Sequence, residues 1–85
     1  MQTLTREMRG IPYFLLVEYL QELGGNLEGE DRIIGPGWSV RLTKMEPYKL
    51  FSIQVGQTRL EMELEDPVAA DFLERFAQKT LRAGA

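Results

Sequence analysis

Glu61, Glu63, Glu65 and Asp66 are the densest run of chemically capable side chains in the sequence. Alternate residues of a strand share a face, and hard cations such as calcium or magnesium take carboxylate oxygens, so the run raises a cation site. Successive same-face carboxylates lie roughly 6.5–7 Å apart along a strand, which is too spread for a compact site unless neighbouring strands contribute. Arg41 and Arg59 are available to pair with them across a sheet instead. The expectation is a charge-paired, solvated face that holds no metal.

Other chemistries fail on residue type or on context. The chain has no cysteine and no histidine, which removes disulfides, thiolate nucleophiles, zinc fingers and imidazole bases together. A carboxylate pair can do acid–base work without histidine. Glu18 is the one carboxylate set within an apolar run, but it shares its helical stripe with Gln21 and Glu22, which points to solvent. A phosphate-cradling loop needs its glycines between a strand and a helix N-terminus. Gly35-Pro36-Gly37 instead joins two strands, Gly24-Gly25-Asn26 ends a helix, and Lys79-Thr80 lacks upstream glycines. These residues predict no catalytic group and no cofactor, hence no enzyme.

The elements that position these groups follow from periodicity. Thr3–Met8 alternates, with Leu4 and Met8 on one side, and reads as a first strand. Gly10-Ile11-Pro12 opens a helix, with Pro12 pre-set for its first turn, and the helix runs to Leu23 before the glycine pair. Its polar stripe of Glu18, Gln21 and Glu22 spans about 100°, and Phe14 falls inside it. From Leu27 to Glu65 the period is two. Leu27–Glu30 and Arg32–Ile34 are two short strands, or one strand broken at Asp31. After the Gly35–Gly37 turn, Trp38, Val40 and Leu42 face one way. Glu46-Pro47 is expected to break that strand. Tyr48–Val55 then puts Phe51, Ile53 and Val55 opposite Leu50, Ser52 and Gln54, and Gly56-Gln57 carries a two-residue hairpin signal. Leu60, Met62 and Leu64 point inward on the last strand. Asp66 as N-cap and Pro67 at the first helical position start a second helix, with Ala69, Phe72, Leu73, Phe76, Ala77 and Leu81 on its apolar half. The expected fold is α+β, an antiparallel sheet with two helices on one face in the order β-α-β(4)-α.

Length and charge set the remaining bounds. Eighty-five residues with 44% hydrophobic composition build one core, so residues 1–85 are expected as a single domain. The net charge of −3 lacks the general attraction that underlies nucleic-acid binding. Arg6 and Arg9 before the apolar run Ile11–Val17 imitate a signal peptide, but Glu18 interrupts the run and no small-residue cleavage site follows. The run is also too short to span a membrane, which takes about 20 apolar residues. A cytoplasmic protein with no membrane and no nucleic-acid partner is expected.

Tyr13-Phe14-Leu15-Leu16-Val17-Glu18-Tyr19-Leu20-Gln21-Glu22-Leu23-Gly24-Gly25, followed by Glu28-Gly29-Glu30, resembles a domain of unknown function from thermophilic bacteria. Pro36-Gly37, Val40-Arg41, Glu46-Pro47 with Lys49, Leu60-Glu61, and Phe72, Glu74, Arg75 and Phe76 extend the likeness over Gly10 to Arg82. That domain is the C-terminal half of MoaD-related proteins, whose N-terminal half is a ubiquitin-like relative of sulfur carriers. The resemblance implies a fold similar to the TATA-binding-protein-like class and brings no catalytic residues. The ubiquitin-like half is absent from this sequence, and Leu81-Arg82-Ala83-Gly84-Ala85 lacks the Gly-Gly terminus that sulfur carriers need. What the resemblance implies is therefore an accessory place near molybdopterin or sulfur-transfer chemistry rather than a carrier role.

Two functions are compatible with these features. The first is a non-catalytic interaction module that forms a homodimer. The first helix carries more apolar arc than one sheet covers, Phe14 lies in its polar stripe, and Leu50 faces away from the core side. With Trp38 as a possible anchor, Phe14 and Leu50 are the candidate interface residues. The alternative is a small-molecule binding domain that uses the groove between helix and sheet.

Overall fold

The alternation that begins at Trp38 becomes two long strands, and the other elements are arranged against them. The computed structural model describes residues 1–82. In chain order the elements are β1 (Gln2–Arg9), α1 (Tyr13–Glu22), β2 (Asn26–Glu28), β3 (Arg32–Gly35), β4 (Trp38–Leu50), β5 (Ile53–Leu64) and α2 (Asp66–Arg82). The strands form one sheet in the order β1-β5-β4-β3-β2, with every neighbouring pair antiparallel. The chain is thus an α+β protein, with a five-stranded antiparallel sheet and two helices. The tail residues 83–85 lie outside the described residues.

One face of the sheet is dry. Ile33, Trp38, Val40, Leu42, Leu60, Met62 and Leu64 are buried there, in one cluster with Leu16 and Leu20 of α1 and Ala69, Phe72 and Phe76 of α2. The residues between them, Arg41, Thr43, Glu61 and Glu63, are exposed on the other face. Each fully buried leucine or phenylalanine contributes about 1.5–3 kcal/mol of transfer free energy, so this cluster outweighs any surface ion pair in the chain.

The end of α1 is fixed by its two glycines. Gly24 adopts φ +101, and its N–H donates to the Gln21 carbonyl at 3.0 Å. The Gly25 N–H donates to the Leu20 carbonyl at 3.1 Å. This pair of bonds is the Schellman ending, which satisfies two carbonyls the helix itself leaves free. Gly25 is required for a second reason: a methyl group there would overlap Ile33, the Trp38 ring and the Leu20 carbonyl.

Several expected boundaries move. Pro12, at φ −59 and ψ 145, is the extended residue before α1 rather than its first helical one. Its carbonyl accepts the N–H groups of Leu15 and Leu16. Leu27–Glu30 and Arg32–Ile34 resolve as the hairpin β2–β3. Glu46-Pro47 does not break β4, which continues through it as a bulge. The hairpin that follows turns at Phe51-Ser52, where Leu50 pairs with Ile53, and Gly56 sits inside β5. At α2 the helix includes Asp66, with Glu65 before it. Leu81 is exposed, and the buried position at that end belongs to Thr80, whose hydroxyl donates back to the Phe76 and Ala77 carbonyls.

Leu20→Ala and Phe76→Ala should each lower stability by about 2–5 kcal/mol, read as a shifted denaturant midpoint. Gly25→Ala should lower the midpoint as well, although it only adds a carbon. Midpoints unchanged in all three variants are incompatible with this packing.

Candidate functional site

A bulge in β4 creates the most unusual surface of the molecule. Met45 pairs with Gln57 and Tyr48 with Val55, so Glu46 and Pro47 together oppose Gly56. Proline fits at this point because a bulged residue leaves the hydrogen-bond ladder and needs no N–H there. The Gln57 side-chain amide donates to the Glu46 carbonyl at 3.0 Å, and the Gly10 N–H donates to the Gly56 carbonyl at 3.0 Å. The extra residue reverses the facing of everything after it on β4. Tyr48 and Leu50 therefore join Val55 and Ile53 on the face away from the helices, and Lys49 turns to the helix side. The Arg9 guanidinium lies 4.1 Å from the centre of the Tyr48 ring on that open face.

Beyond this point the sheet narrows to two strands. β1 pairs with β5 only as far as Arg9–Gln57, and β3 pairs with β4 only from Trp38 to Arg41. Tyr48–Val55 consequently projects as a two-stranded arm, with one apolar face and Phe51 at its tip. Leu50 is 47% exposed, Ile53 62% and Phe51 97%. Phe51 also adopts φ 56, in the left-handed region that costs a residue with a side chain about 1–2 kcal/mol. A two-stranded hairpin is marginally stable by itself in water, and a bare apolar face adds to that liability.

Of the three candidate interface residues, the fold brings none together. Phe14 is 67% exposed at the N-terminal end of α1, beside an open groove of about 410 Å³ lined with Ile11, Pro12, Met45 and Pro47. Leu50 lies on the arm. Trp38 lies at the far end of β4 in the core, its ring centre 4.6 Å from that of Phe72. One edge of it lines a second groove of about 220 Å³, with Leu23, Pro36, Val68 and Phe72 as further walls and Asp71 and Arg75 at the rim. Sequence reasoning placed Leu50 away from the core but missed Tyr48, Phe51 and Ile53, because one strand run straight from Tyr48 to Val55 sets Ile53 and Val55 opposite Leu50, and a hairpin placed at Gly56 misplaces the tip.

The carboxylate run is interleaved with cations. Glu61 stands opposite Arg41, and Glu63 opposite Ser39, with Arg32 next to Arg41 on β3. Arg59 takes Glu7 instead, at 3.4 Å. Among the described residues no group of three or more acidic side chains is placed to hold a metal ion. Tyr13 donates its hydroxyl to the Glu30 carbonyl at 3.2 Å. Burial, and then the nearby Asp31 and Glu30 carboxylates, push its phenol above the ordinary tyrosine value. No helix of the described residues is long and apolar enough to cross a membrane.

Because Arg41 and Arg32 line the same small groove as Glu61 and Glu63 and repel a cation there, calcium or magnesium at millimolar concentration should leave the melting temperature unchanged. A ligand specific for the native state has to raise it. A clear rise, abolished by Glu61→Gln with Glu63→Gln, is the contrary result.

No curated protein matches the chain. A family model described as Archaeal MoaD-like protein matches residues 4–85, from the first strand through both helices and the arm. By that match the chain belongs to the family of archaeal MoaD-like proteins.

Proposed function

We propose that this chain is a non-catalytic interaction module, an accessory to the sulfur-carrier or molybdopterin chemistry that its MoaD-like family suggests. The observation that carries the reading is the arm, an apolar and strained hairpin that extends beyond the folded core. Exposed apolar surface of this kind marks a contact site, and strain at an exposed position persists where it serves a role. By its element order we assign the fold to the TATA-binding-protein-like class. Nucleic-acid binding does not come with that assignment, since Glu61 and Glu63 line the open face and the net charge is −3. A cytoplasmic address and a homodimer belong to the same reading.

The alternative, a small-molecule domain, has the groove beside Trp38 to work with. The charged groups at its rim, Asp71 and Arg75, are engaged with each other at 3.2 Å. A specific ligand site gathers a few free polar groups towards one point, and that ion pair weakens the alternative.

The test separates surface from chemistry in cells that lack the chain, with molybdenum-cofactor content as the readout. Re-expression of a variant with Glu18, Glu61 and Glu63 changed to glutamine should restore the wild-type level. Leu50→Glu should not, although the purified variant folds. The opposite pattern makes the carboxylates the working groups and overturns the reading. A cofactor level that does not respond to loss of the chain removes the link to that chemistry.

A further inference from the structure

The molecule is charged asymmetrically along its length. β4 has 13 residues, which at about 3.3 Å each accounts for the 43 Å long axis. The arm and the Trp38 groove therefore lie at opposite ends. At the arm and its base stand three cations, Arg9, Lys44 and Lys49, against Glu46, and one step further into the sheet Arg6 and Arg59 stand against Glu7. Through the rest of the sheet and its turns stand six carboxylates, from Glu28 to Asp31 and from Glu61 to Glu65, against Arg32 and Arg41. Helix α2 adds Asp66, Asp71 and Glu74 against Arg75 and Lys79, and Asp66 meets the Met1 ammonium at 3.6 Å.

From this asymmetry we propose that two copies of the chain pair side by side and antiparallel, each laying its arm on the groove at the other's acidic end. Phe51 enters that groove against Trp38 and Phe72, and Lys49 faces Glu65 beside it, since Arg75 already holds the Asp71 carboxylate at 3.2 Å. An apolar cavity of about 150 Å³ accepts a benzene ring, so a groove of about 220 Å³ has room for the phenyl group. A twofold axis between the copies makes the same arm–groove contact twice and closes the pair, so no open chain of subunits results. The doubling matters, because a stable interface buries about 800 Å² per partner and one small arm tip falls short of that.

Charge decides against the other arrangements of two copies. Arm against arm would bring together the two cationic ends. Phe51 in the larger groove beside Phe14 would set Lys49 against Lys44, which lines that groove. Only the antiparallel pairing places opposite charges together at both contacts, and such complementarity fixes register and partner choice.

The pairing rests on the arm being the chain's contact surface, and it is measured on the pure chain. A monomer whose arm variants still fail in cells removes the pairing and leaves the surface to another partner. Light scattering coupled to size exclusion, from 1 to 100 μM, should give twice the chain mass at the upper end. The dimer should dissociate at high salt, since its contacts are partly ionic. Trp38 is the sole tryptophan and lines the occupied groove, so its emission should shift on dilution through the same range. Phe51→Gly should weaken the dimer at least tenfold without lowering the monomer's melting temperature, because glycine accepts this backbone conformation without strain. Lys49→Glu and Glu65→Lys should each weaken it and in combination restore it, and Phe14→Glu should leave it unchanged. A single-chain mass at every concentration overturns the pairing. So does a dimer that Phe14→Glu breaks and Phe51→Gly does not, or one whose dissociation leaves Trp38 emission unaltered.

Discussion

The placement of the Trp38 indole governs the architecture. The ring lies across Gly25 and Gly35, at both of which a methyl group would overlap it, and Phe72 of α2 packs against it at 4.6 Å. One side chain therefore joins the end of α1, the β3–β4 turn, the start of β4 and the first turns of α2. The glycines follow from the ring: the backbone approaches a large flat side chain closely only where no Cβ intervenes. Gly25 also closes the helix ending, so the residue that stops α1 is the one that seats the tryptophan. A local backbone requirement and a long-range packing requirement fall on the same position, and that agreement favours one native arrangement over its competitors.

The second constraint is the bulge at Glu46-Pro47. Without the extra residue, Tyr48 and Leu50 would fall on the helix side of the sheet and Lys49 on the open side. With it, four apolar residues of the arm share one face and the lysine is turned away. Two otherwise ordinary strands thereby become a one-sided apolar ribbon beyond the core. Bulges commonly re-aim side chains near working surfaces, and here the re-aimed Tyr48 and Leu50 stand with Phe51 and Ile53 among the exposed large apolar side chains.

Chemistry and charge agree with this division of labour. The cationic end carries the apolar arm, and the acidic end carries the small groove. The ion pairs seen on the surface are exposed and individually weak, so their arrangement bears on partner choice far more than on stability. Stability resides in the sealed layer between sheet and helices, where Leu16, Leu20, Val40, Leu60, Met62, Leu64 and Phe76 have no exposed area.

The sequence by itself determined a good deal. Cysteine and histidine counts removed whole classes of chemistry, and the glycine pair after Leu23 ended the first helix where the structure ends it. Alternation through Trp38, Val40 and Leu42, and again through Leu60, Met62 and Leu64, identified the core face of both long strands, because facing within a strand is set by a fixed period of two. Phe14 was legible as an exposed apolar residue because the helical period sets it within the polar stripe of Glu18, Gln21 and Glu22. The tertiary structure alone decided the rest: that Pro47 bulges a strand instead of ending it, that the hairpin turns at Phe51 rather than at Gly56, and that Leu50 and Trp38 lie at opposite ends of β4. Those features depend on register, which is a relation between strands. A strand that loses one pairing position reverses the facing of every later residue, and only the partner strand shows where the loss falls.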